Sequence, residues 1–134
     1  MIKANIKLLS LSFLFAIIAL SCDHDTNPKA IVRVTEYVDS VLVPVDHILV
    51  QIGPPTEEKV LDDVLDQGYS DSQGYVNFEF EKELILRAVA IRYEEDGQGN
   101  PILDDKGNPI IIKSGYKTVV FKKNNTDSRV IEIR

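Results

Sequence analysis

Short runs of Val, Ile, Leu, Phe and Tyr, separated by turn-forming residues, make up the chain over residues 30–134. The clearest run is 74–81, where Val76, Phe78 and Phe80 alternate with polar residues. Strict alternation places the apolar side chains on one face of a β-strand. Runs of this composition, bounded by Gly, Pro, Asn and Asp, are typical of strands. We therefore expect a single all-β domain, which the length of 134 residues also favours.

Five further runs predict the other strands, and one segment is ambiguous. The runs cover residues 31–38, 45–52, 84–93, 117–122 and 129–134. The run at 84–93 is apolar on both faces, which predicts a central strand covered on both sides. Residues 56–67 fit either a short helix that Thr56 caps or a loop that leads into a strand at Val64. We favour the loop.

A polar segment, Ser70-Asp71-Ser72-Gln73-Gly74, joins two of the predicted strands. Asp71 can accept hydrogen bonds from nearby backbone amides, and Gly74 can adopt the positive φ of a tight turn. A calcium loop would need oxygen ligands at alternate positions and a Glu further on. We therefore predict that Asp71 and Gly74 form the corner of a β-hairpin.

An internal repeat marks a second turn region. Gly-Asn-Pro-Ile occurs at residues 99–102 and again at 107–110, with an Asp-Asp-Lys-Gly turn signal between the copies. The repeat predicts a β-hairpin that projects from the domain near residues 94–113. Residues 124–127, Asn-Asn-Thr-Asp, predict another hairpin connection, between the last two strands.

The first 21 residues have the composition of a targeting segment. Lys3 and Lys7 give a positive start, and residues 8–20 form an uncharged, mainly apolar run of 13 residues. A run of that length is too short to span a bilayer, which takes about 20 residues, but it suits the centre of a signal peptide. We predict a signal peptide at residues 1–21, followed by a flexible tether at 22–29.

Residues 19–22, Ala-Leu-Ser-Cys, place a small residue directly before the only cysteine of the chain. The segment resembles the lipobox of bacterial lipoproteins, although Ala19 and Leu20 depart from its usual pattern. The resemblance implies that Cys22 is acylated through its sulfur, becomes the first residue of the mature protein and anchors it to a membrane. An ordinary secretory signal and an uncleaved anchor are the alternatives.

Residues 23–25, Asp-His-Asp, directly follow this cysteine. In some Gram-negative lipoproteins, acidic residues at this position act as sorting or surface-export signals. The resemblance therefore implies an outer-membrane location, with the cell surface and the periplasmic face both open.

The charge of the chain is unevenly distributed. Without residues 1–21 the chain has 13 basic and 21 acidic residues, a net charge of −8. Residues 57–105 hold 14 acids against 4 bases, whereas residues 106–134 hold 7 bases against 2 acids. A nucleic-acid-binding protein needs a basic stripe, because phosphate contacts supply most of its affinity. The composition therefore excludes DNA and RNA as partners.

Few residues could carry catalytic chemistry. His24 falls in the predicted tether, and Asp46 would point to the opposite face of a strand from His47, so it is badly placed to orient that ring. The sequence has no zinc-ligand spacing, phosphate loop or nucleophile elbow. We therefore predict that the protein is not an enzyme and has no cofactor, calcium being the one alternative considered.

Five acidic residues near the projecting hairpin could hold calcium. They are Glu94, Glu95, Asp96, Asp104 and Asp105. Extracellular modules bind calcium weakly enough that sparse oxygen ligands suffice. The alternative is that these acids are solvated at two loop tips, where they prevent edge-to-edge strand pairing. We favour the solvated tips.

Glycan binding would require exposed aromatic rings. The chain has no Trp, and its tyrosines are Tyr37, Tyr69, Tyr75, Tyr93 and Tyr116. Tyr69 and Tyr75 flank the same turn, where we favour packing over the end of the domain to a sugar platform. Tyr116 follows Gly115 and is expected to pack at a corner or in the core.

The order of these features resembles the carboxypeptidase regulatory-like, or transthyretin-like, β-sandwich family. The matching features, in chain order, are Pro44-Val45, the alternating run at 48–52, Ser70-Asp71-Ser72-Gln73-Gly74-Tyr75, the apolar run at 84–91 and Gly115-Tyr116. The resemblance covers most of residues 30–134 and implies a seven- or eight-stranded antiparallel, Ig-like sandwich. The hairpin near 94–113 departs from the short link usual in this family. Family members are mostly non-catalytic appendages or interaction modules, and a fold alone assigns no function.

These features together predict a lipid-anchored binding or accessory module of the cell envelope without catalytic activity. It would attach to the membrane through Cys22 and be a subunit or partner of an outer-membrane complex. The alternative is a surface β-sandwich that binds a glycan or calcium.

Overall fold

The computed structural model describes residues 24–57 and 60–134, so the predicted signal peptide and Cys22 lie outside the described residues. The described chain forms eight strands: β1 (Lys29–Val38), β2 (Val41–Pro44), β3 (Leu49–Gly53), β4 (Asp66–Tyr69), β5 (Tyr75–Glu79), β6 (Leu84–Tyr93), β7 (Ile111–Phe121) and β8 (Thr126–Glu132). Among these residues there is no helix with the length and apolar character needed to cross a membrane. The predicted all-β fold with seven or eight strands is confirmed.

The strands form two four-stranded sheets. In the first sheet β1 is central: β8 lies along one of its edges, and β5 and β2 share the other. The second sheet has the order β4-β3-β6-β7. The run at 84–93, predicted as a central strand, is β6, and it pairs with β3 on one side and β7 on the other. The two sheets enclose the core, as in a β-sandwich.

All strand pairings are antiparallel except that of β1 with β8. This parallel pair runs from Lys29 opposite Thr126 to Thr35 opposite Glu132. A hairpin joins only antiparallel strands, so β8 can lie parallel to β1 only if the chain crosses over before β8 begins. The crossing follows β7, which belongs to the second sheet, whereas β8 belongs to the first. The hairpin predicted at residues 124–127 is therefore wrong, and this segment links the two sheets.

The two sheets adjoin where β7 passes the end of β8. Ser114 and Arg134 exchange backbone hydrogen bonds of 3.2 and 3.3 Å. A Cβ atom at Gly115 would overlap the carbonyl oxygen of Glu132, so only glycine permits this close approach. Further along β7, the Val120 N–H donates to Asp127 Oδ2 over 2.8 Å. These contacts close one side of the sandwich.

The hydrophobic core lies between the sheets and is built from the inward-facing side chains of both. Its buried members include Val32, Val34, Val50, Ile52, Val76, Phe78, Leu86, Ala88, Val119, Phe121 and Ile131. In β5 the buried residues alternate with exposed ones, as the sequence predicts. The rings of Phe80 and Phe121 pack edge to face, with centroids 4.8 Å apart.

The chain between β3 and β4 covers part of the outer face of β6. Leu61 is buried there against Val89 and Ile91, with Tyr93 packed beside them. This coverage explains why β6 is apolar on both faces, as the sequence analysis predicts. The covering segment lies so close to β3 that a Cβ at Gly53 would overlap the backbone of Asp63.

The beginning of β1 defines one end of the sandwich, which we call the tether end. The Thr26 N–H donates to Asn124 Oδ1 over 2.7 Å, and the Asn124 N–H donates to the Thr26 carbonyl over 3.1 Å. Pro28 is buried, and its carbonyl accepts a hydrogen bond from Phe80. The stretch predicted as a flexible tether is therefore bound to the sandwich by hydrogen bonds of its backbone from Thr26 onward.

Candidate interaction surface

The end opposite the tether end carries two projections. At the first, β1 turns into β2 through Asp39 and Ser40, whose φ angles are 49° and 66°. At the second, the chain leaves β6 and returns to β7 through residues 94–110.

Exposed apolar side chains concentrate at this end. We call eight of them the apolar tip: Tyr37, Val38, Val41, Leu42, Ile102, Leu103, Ile111 and Ile112. They are half of the sixteen large hydrophobic side chains that are exposed in the described part of the chain. Exposed apolar residues that are scattered singly are normal, whereas a concentration of them marks an interaction site.

The second projection consists of two successive eight-residue loops. Their backbone hydrogen bonds form a ring of three residues spaced eight apart. The Ile102 N–H donates to Glu94 over 2.7 Å, the Ile110 N–H to Ile102 over 2.9 Å and the Glu94 N–H to Ile110 over 2.8 Å. A projection therefore lies where the sequence predicts a hairpin near residues 94–113, but it is a double loop and not a single two-stranded ladder.

Both loops repeat the turn at residues 71–74. This turn links β4 of one sheet to β5 of the other, so the hairpin predicted there is wrong, although Asp71 and Gly74 do form a tight turn. In all three turns, an Asp Oδ1 accepts hydrogen bonds from the backbone N–H groups two and four residues later, over 2.8–3.0 Å. The glycine three residues after each Asp has a φ of 83° or 84°, which favours glycine. The pairs are Asp71 and Gly74, Asp96 and Gly99, and Asp104 and Gly107. The Asp-x-x-Gly spacing in the sequence is therefore the signal for all three turns.

Two of the five acids considered as calcium ligands accept hydrogen bonds in these turns. Asp96 and Asp104 each cap a different loop. Backbone hydrogen bonds from Asn100 and Gln98 hold the pKa of Asp96 below its ordinary value of 3.8. Within residues 24–57 and 60–134, no three His, Cys, Asp or Glu side chains are grouped closely enough to hold a metal ion. The structure does not bring the five acids together.

An ion-pair cluster joins the two sheets directly beneath the apolar tip. Glu36 Oε2 lies 2.8 Å from Arg92 Nη1 and 3.1 Å from Lys113 Nζ. Burial alone would raise the pKa of Glu36, but hydrogen bonds and charge attraction from Arg92 and Lys113 outweigh burial, so the pKa falls below its ordinary value of 4.5. The cluster fixes the end of β1 to β6 and β7, where both projections begin.

His47, which the sequence analysis weighs for catalysis, and the buried Ser70 both have structural roles. The His47 ring stacks on Tyr69, with centroids 4.8 Å apart and an angle of 14° between the planes. The buried Ser70 hydroxyl donates to the Val45 carbonyl over 2.7 Å and accepts from the Ile48 N–H over 2.8 Å. This pairing fixes the bend before β3 and commits the hydroxyl to the backbone. Neither residue is arranged as one half of a nucleophile–base pair.

The tyrosines that flank the polar turn lie on different sheets. Tyr69 is in β4 and Tyr75 is in β5, so they do not form one aromatic platform. The Arg33 guanidinium lies 5.1 Å from the centre of the Tyr75 ring. Tyr116 is 56% exposed on the outer face of β7, where it lies beside Arg87, so the expectation that it packs at a corner or in the core is wrong. Its register opposite Val89 turns it away from the core.

Sequence reasoning missed the first half of the apolar tip. Residues 41–44 are not assigned to a strand in the sequence analysis, yet they form β2 and pair with residues 35–38. The available signal was Asp39-Ser40 between two short runs of β-branched and aromatic residues. Two polar residues in that position are a hairpin signal.

No protein-family model matches this chain, and neither does any curated protein. A crystal structure of the minor pilin of Streptococcus agalactiae, a Gram-positive pathogen, is similar with a TM-score of 0.47 and 12% sequence identity. The match covers 81% of this chain and 44% of the pilin chain, so this chain spans less than half of that structure. A likeness at this level carries no inference about function.

Proposed function

We propose that the protein is a lipid-anchored, non-enzymatic binding module of the cell envelope, and a subunit or partner of an outer-membrane complex. The observation that carries the proposal is the placement of the two ends. The chain enters the sandwich at Thr26, only four residues after Cys22, whereas the apolar tip lies at the opposite end. A protein anchored through Cys22 would therefore present the apolar tip away from the membrane.

The sequence features support the lipid anchor. A positive start, an apolar run and a small residue before a single cysteine are features of a lipoprotein signal. Acyl chains contribute about 0.8 kcal/mol of membrane affinity per buried CH₂, so more than one chain gives stable attachment. We further propose that the domain belongs to the carboxypeptidase regulatory-like family, whose members mostly serve as interaction modules.

The side-chain roles support a function without catalysis. The Ser70 hydroxyl is bonded to backbone atoms on both sides, and the His47 ring is stacked on Tyr69. The carboxylates of Asp71, Asp96 and Asp104 cap turns. These groups stabilise the fold and leave the surface to recognise a partner.

Co-purification from detergent-solubilised envelopes tests the proposal. An epitope inserted between Lys82 and Glu83 would lie in an exposed link at the tether end, away from the apolar tip. We expect a defined envelope protein to co-purify with the tagged chain, and to be lost when Cys22→Ala prevents anchoring. Recovery of the tagged chain alone would contradict the proposal.

A glycan-binding surface is the second candidate. The observation that favours it is Tyr69, which is 59% exposed and held flat against His47. Rigid, exposed aromatic rings are suited to stacking on sugars. A glycan array probed with the wild type and with Tyr69→Ala tests this function: binding that depends on Tyr69 supports it, and a blank array removes it.

A further inference from the structure

We propose that the apolar tip binds a protein whose docking surface has an apolar centre bordered by Lys and Arg side chains. The inference rests on the proposed binding function and goes further, because it names both the surface and the chemistry of the partner. Two observations carry it: the exposed apolar side chains of the tip and the exposed acids beside them in both projections.

The apolar residues of the tip are too exposed to contribute to the core. Val41 is 60% exposed, Leu103 is 56% exposed and Ile112 is 52% exposed. Each fully buried aliphatic side chain contributes about 1.5–3 kcal/mol relative to an exposed one, so covering several of them gives a partner substantial binding energy. The side chains are aliphatic apart from Tyr37, which suits a protein surface better than a sugar.

Exposed acids lie beside the apolar side chains in both projections, and we call these acids the acidic border. Residues 94–110 contain five acids and one base, and all of these charged side chains are exposed. Asp39 adds a further exposed acid at the other projection. Complementary charges around an apolar centre steer association and exclude wrong partners. The partner surface should therefore carry basic residues at its border.

The same border argues against two other occupants. A second copy of this chain, docked tip to tip, would bring two sets of acids together, and like charges across an interface cost several kcal/mol. A bilayer is equally unsuited, because surfaces that bind membranes carry Lys and Arg to attract anionic lipids. Both alternatives are outcomes of the test below.

Ion pairs and hydrogen bonds also hold the apolar tip in one conformation. The Glu36 cluster fixes the base of both projections, and the Asp turns and the hydrogen-bond ring fix the double loop. A surface that is already ordered loses less conformational entropy on binding, which increases affinity. The double loop therefore presents Ile102 and Leu103 in a defined arrangement.

Site-specific photo-crosslinking in intact cells tests the proposal with the full-length protein. A benzophenone amino acid replaces Leu103 in one variant and Leu42 in another, which samples both projections. Ile85 is the matched control, because it is apolar, 63% exposed and near the beginning of β6 at the tether end. Crosslinked peptides are sequenced by mass spectrometry, so that both the partner and its contact residues are identified.

We expect one protein to crosslink from Leu103 and Leu42 but not from Ile85, at apolar residues flanked by Lys or Arg. Reversing the border charge with Glu95→Lys and Asp105→Lys should lower the crosslinking yield roughly tenfold, the change that corresponds to about 1.4 kcal/mol. Crosslinking yields are compared only between variants that are present at equal levels in the membrane fraction.

Four results would overturn the inference: adducts only with a second copy, adducts only with lipid, equal yields from Ile85, or no adduct from the tip. The co-purification experiment separates this failure from failure of the proposed function. If a partner co-purifies but does not crosslink from the tip, the binding function stands and the location of the interface is wrong. If nothing co-purifies either, both proposals fail.

Discussion

Replacing Glu36 by Gln removes the negative charge from the cluster beneath the apolar tip. Gln keeps the length of the side chain, but it leaves Arg92 and Lys113 side by side without a counter-charge. Hydrogen bonds to charged groups contribute about 1.5–3 kcal/mol each, and breaking a fully buried ion pair costs about 3–5 kcal/mol. The side chains are 14% exposed for Glu36, 28% for Arg92 and 39% for Lys113, so solvent weakens the pairs. We expect the free energy of unfolding to fall by about 2 kcal/mol.

The loss of stability should depend on pH. Because the folded-state pKa of Glu36 lies below 4.5, its ion pairs stabilise the fold fully above about pH 4.5. Their contribution is lost as the pH falls through the folded-state pKa and the carboxylate becomes protonated. The difference in stability between the wild type and Glu36→Gln should therefore be largest near neutral pH and shrink in acid. Urea unfolding followed by far-ultraviolet circular dichroism measures it, since the chain has no Trp.

Glu132→Gln is the matched control. Glu132 also forms an ion pair, but its partner Arg134 is 82% exposed. Exposed pairs contribute about 0–1 kcal/mol, so this variant should lose no more than about 1 kcal/mol at any pH. Equal losses in the two variants would refute the reasoning, as would a loss in Glu36→Gln that does not change with pH.

Two further predictions concern turns and close contacts. Gly115→Ala should lower the free energy of unfolding by about 1–3 kcal/mol, because the added methyl group would overlap the Glu132 carbonyl. Gly97→Ala is the control and should change the free energy of unfolding by less than about 0.5 kcal/mol, because nothing lies within 4 Å of its Cβ position. Urea unfolding compares the two, and similar losses would show that β7 and β8 are not closely packed. Asp71→Ala should cost about 1–2 kcal/mol, since two hydrogen bonds are lost in the turn that links the two sheets. Asp104→Ala should cost less than about 0.5 kcal/mol, because the double loop can open without unfolding the core. Thermal unfolding measures both, and a larger loss at Asp104 would contradict this division.

The local pattern of the sequence predicts much of the fold. In β5, Val76 and Phe78 are buried while their neighbours are exposed, because a strand with one buried face has to alternate. The Asp71 turn follows from the chemistry of Asp and Gly alone. These features depend on residues close together in the chain, so a single sequence contains the information.

Features that depend on pairing between distant strands could not be predicted from the sequence. The parallel pairing of β1 with β8 joins residues almost a hundred positions apart, and nothing in either strand specifies its partner. The sequence predicts Tyr116 at a corner or in the core, but the pairing of β7 with β6 turns it outward, and a shift of one residue in that pairing would reverse its direction. The Glu36 cluster brings together three strands, and the apolar tip combines two projections that are distant in the sequence. The candidate surface therefore required the structure.

Intact-mass spectrometry of the protein extracted from its own membranes tests most directly the anchor on which the functional account depends. The account predicts a mature chain that begins at Cys22 and carries the additional mass of acyl groups. A mature chain that begins at another residue, or one whose Cys22 retains a free thiol, would contradict it.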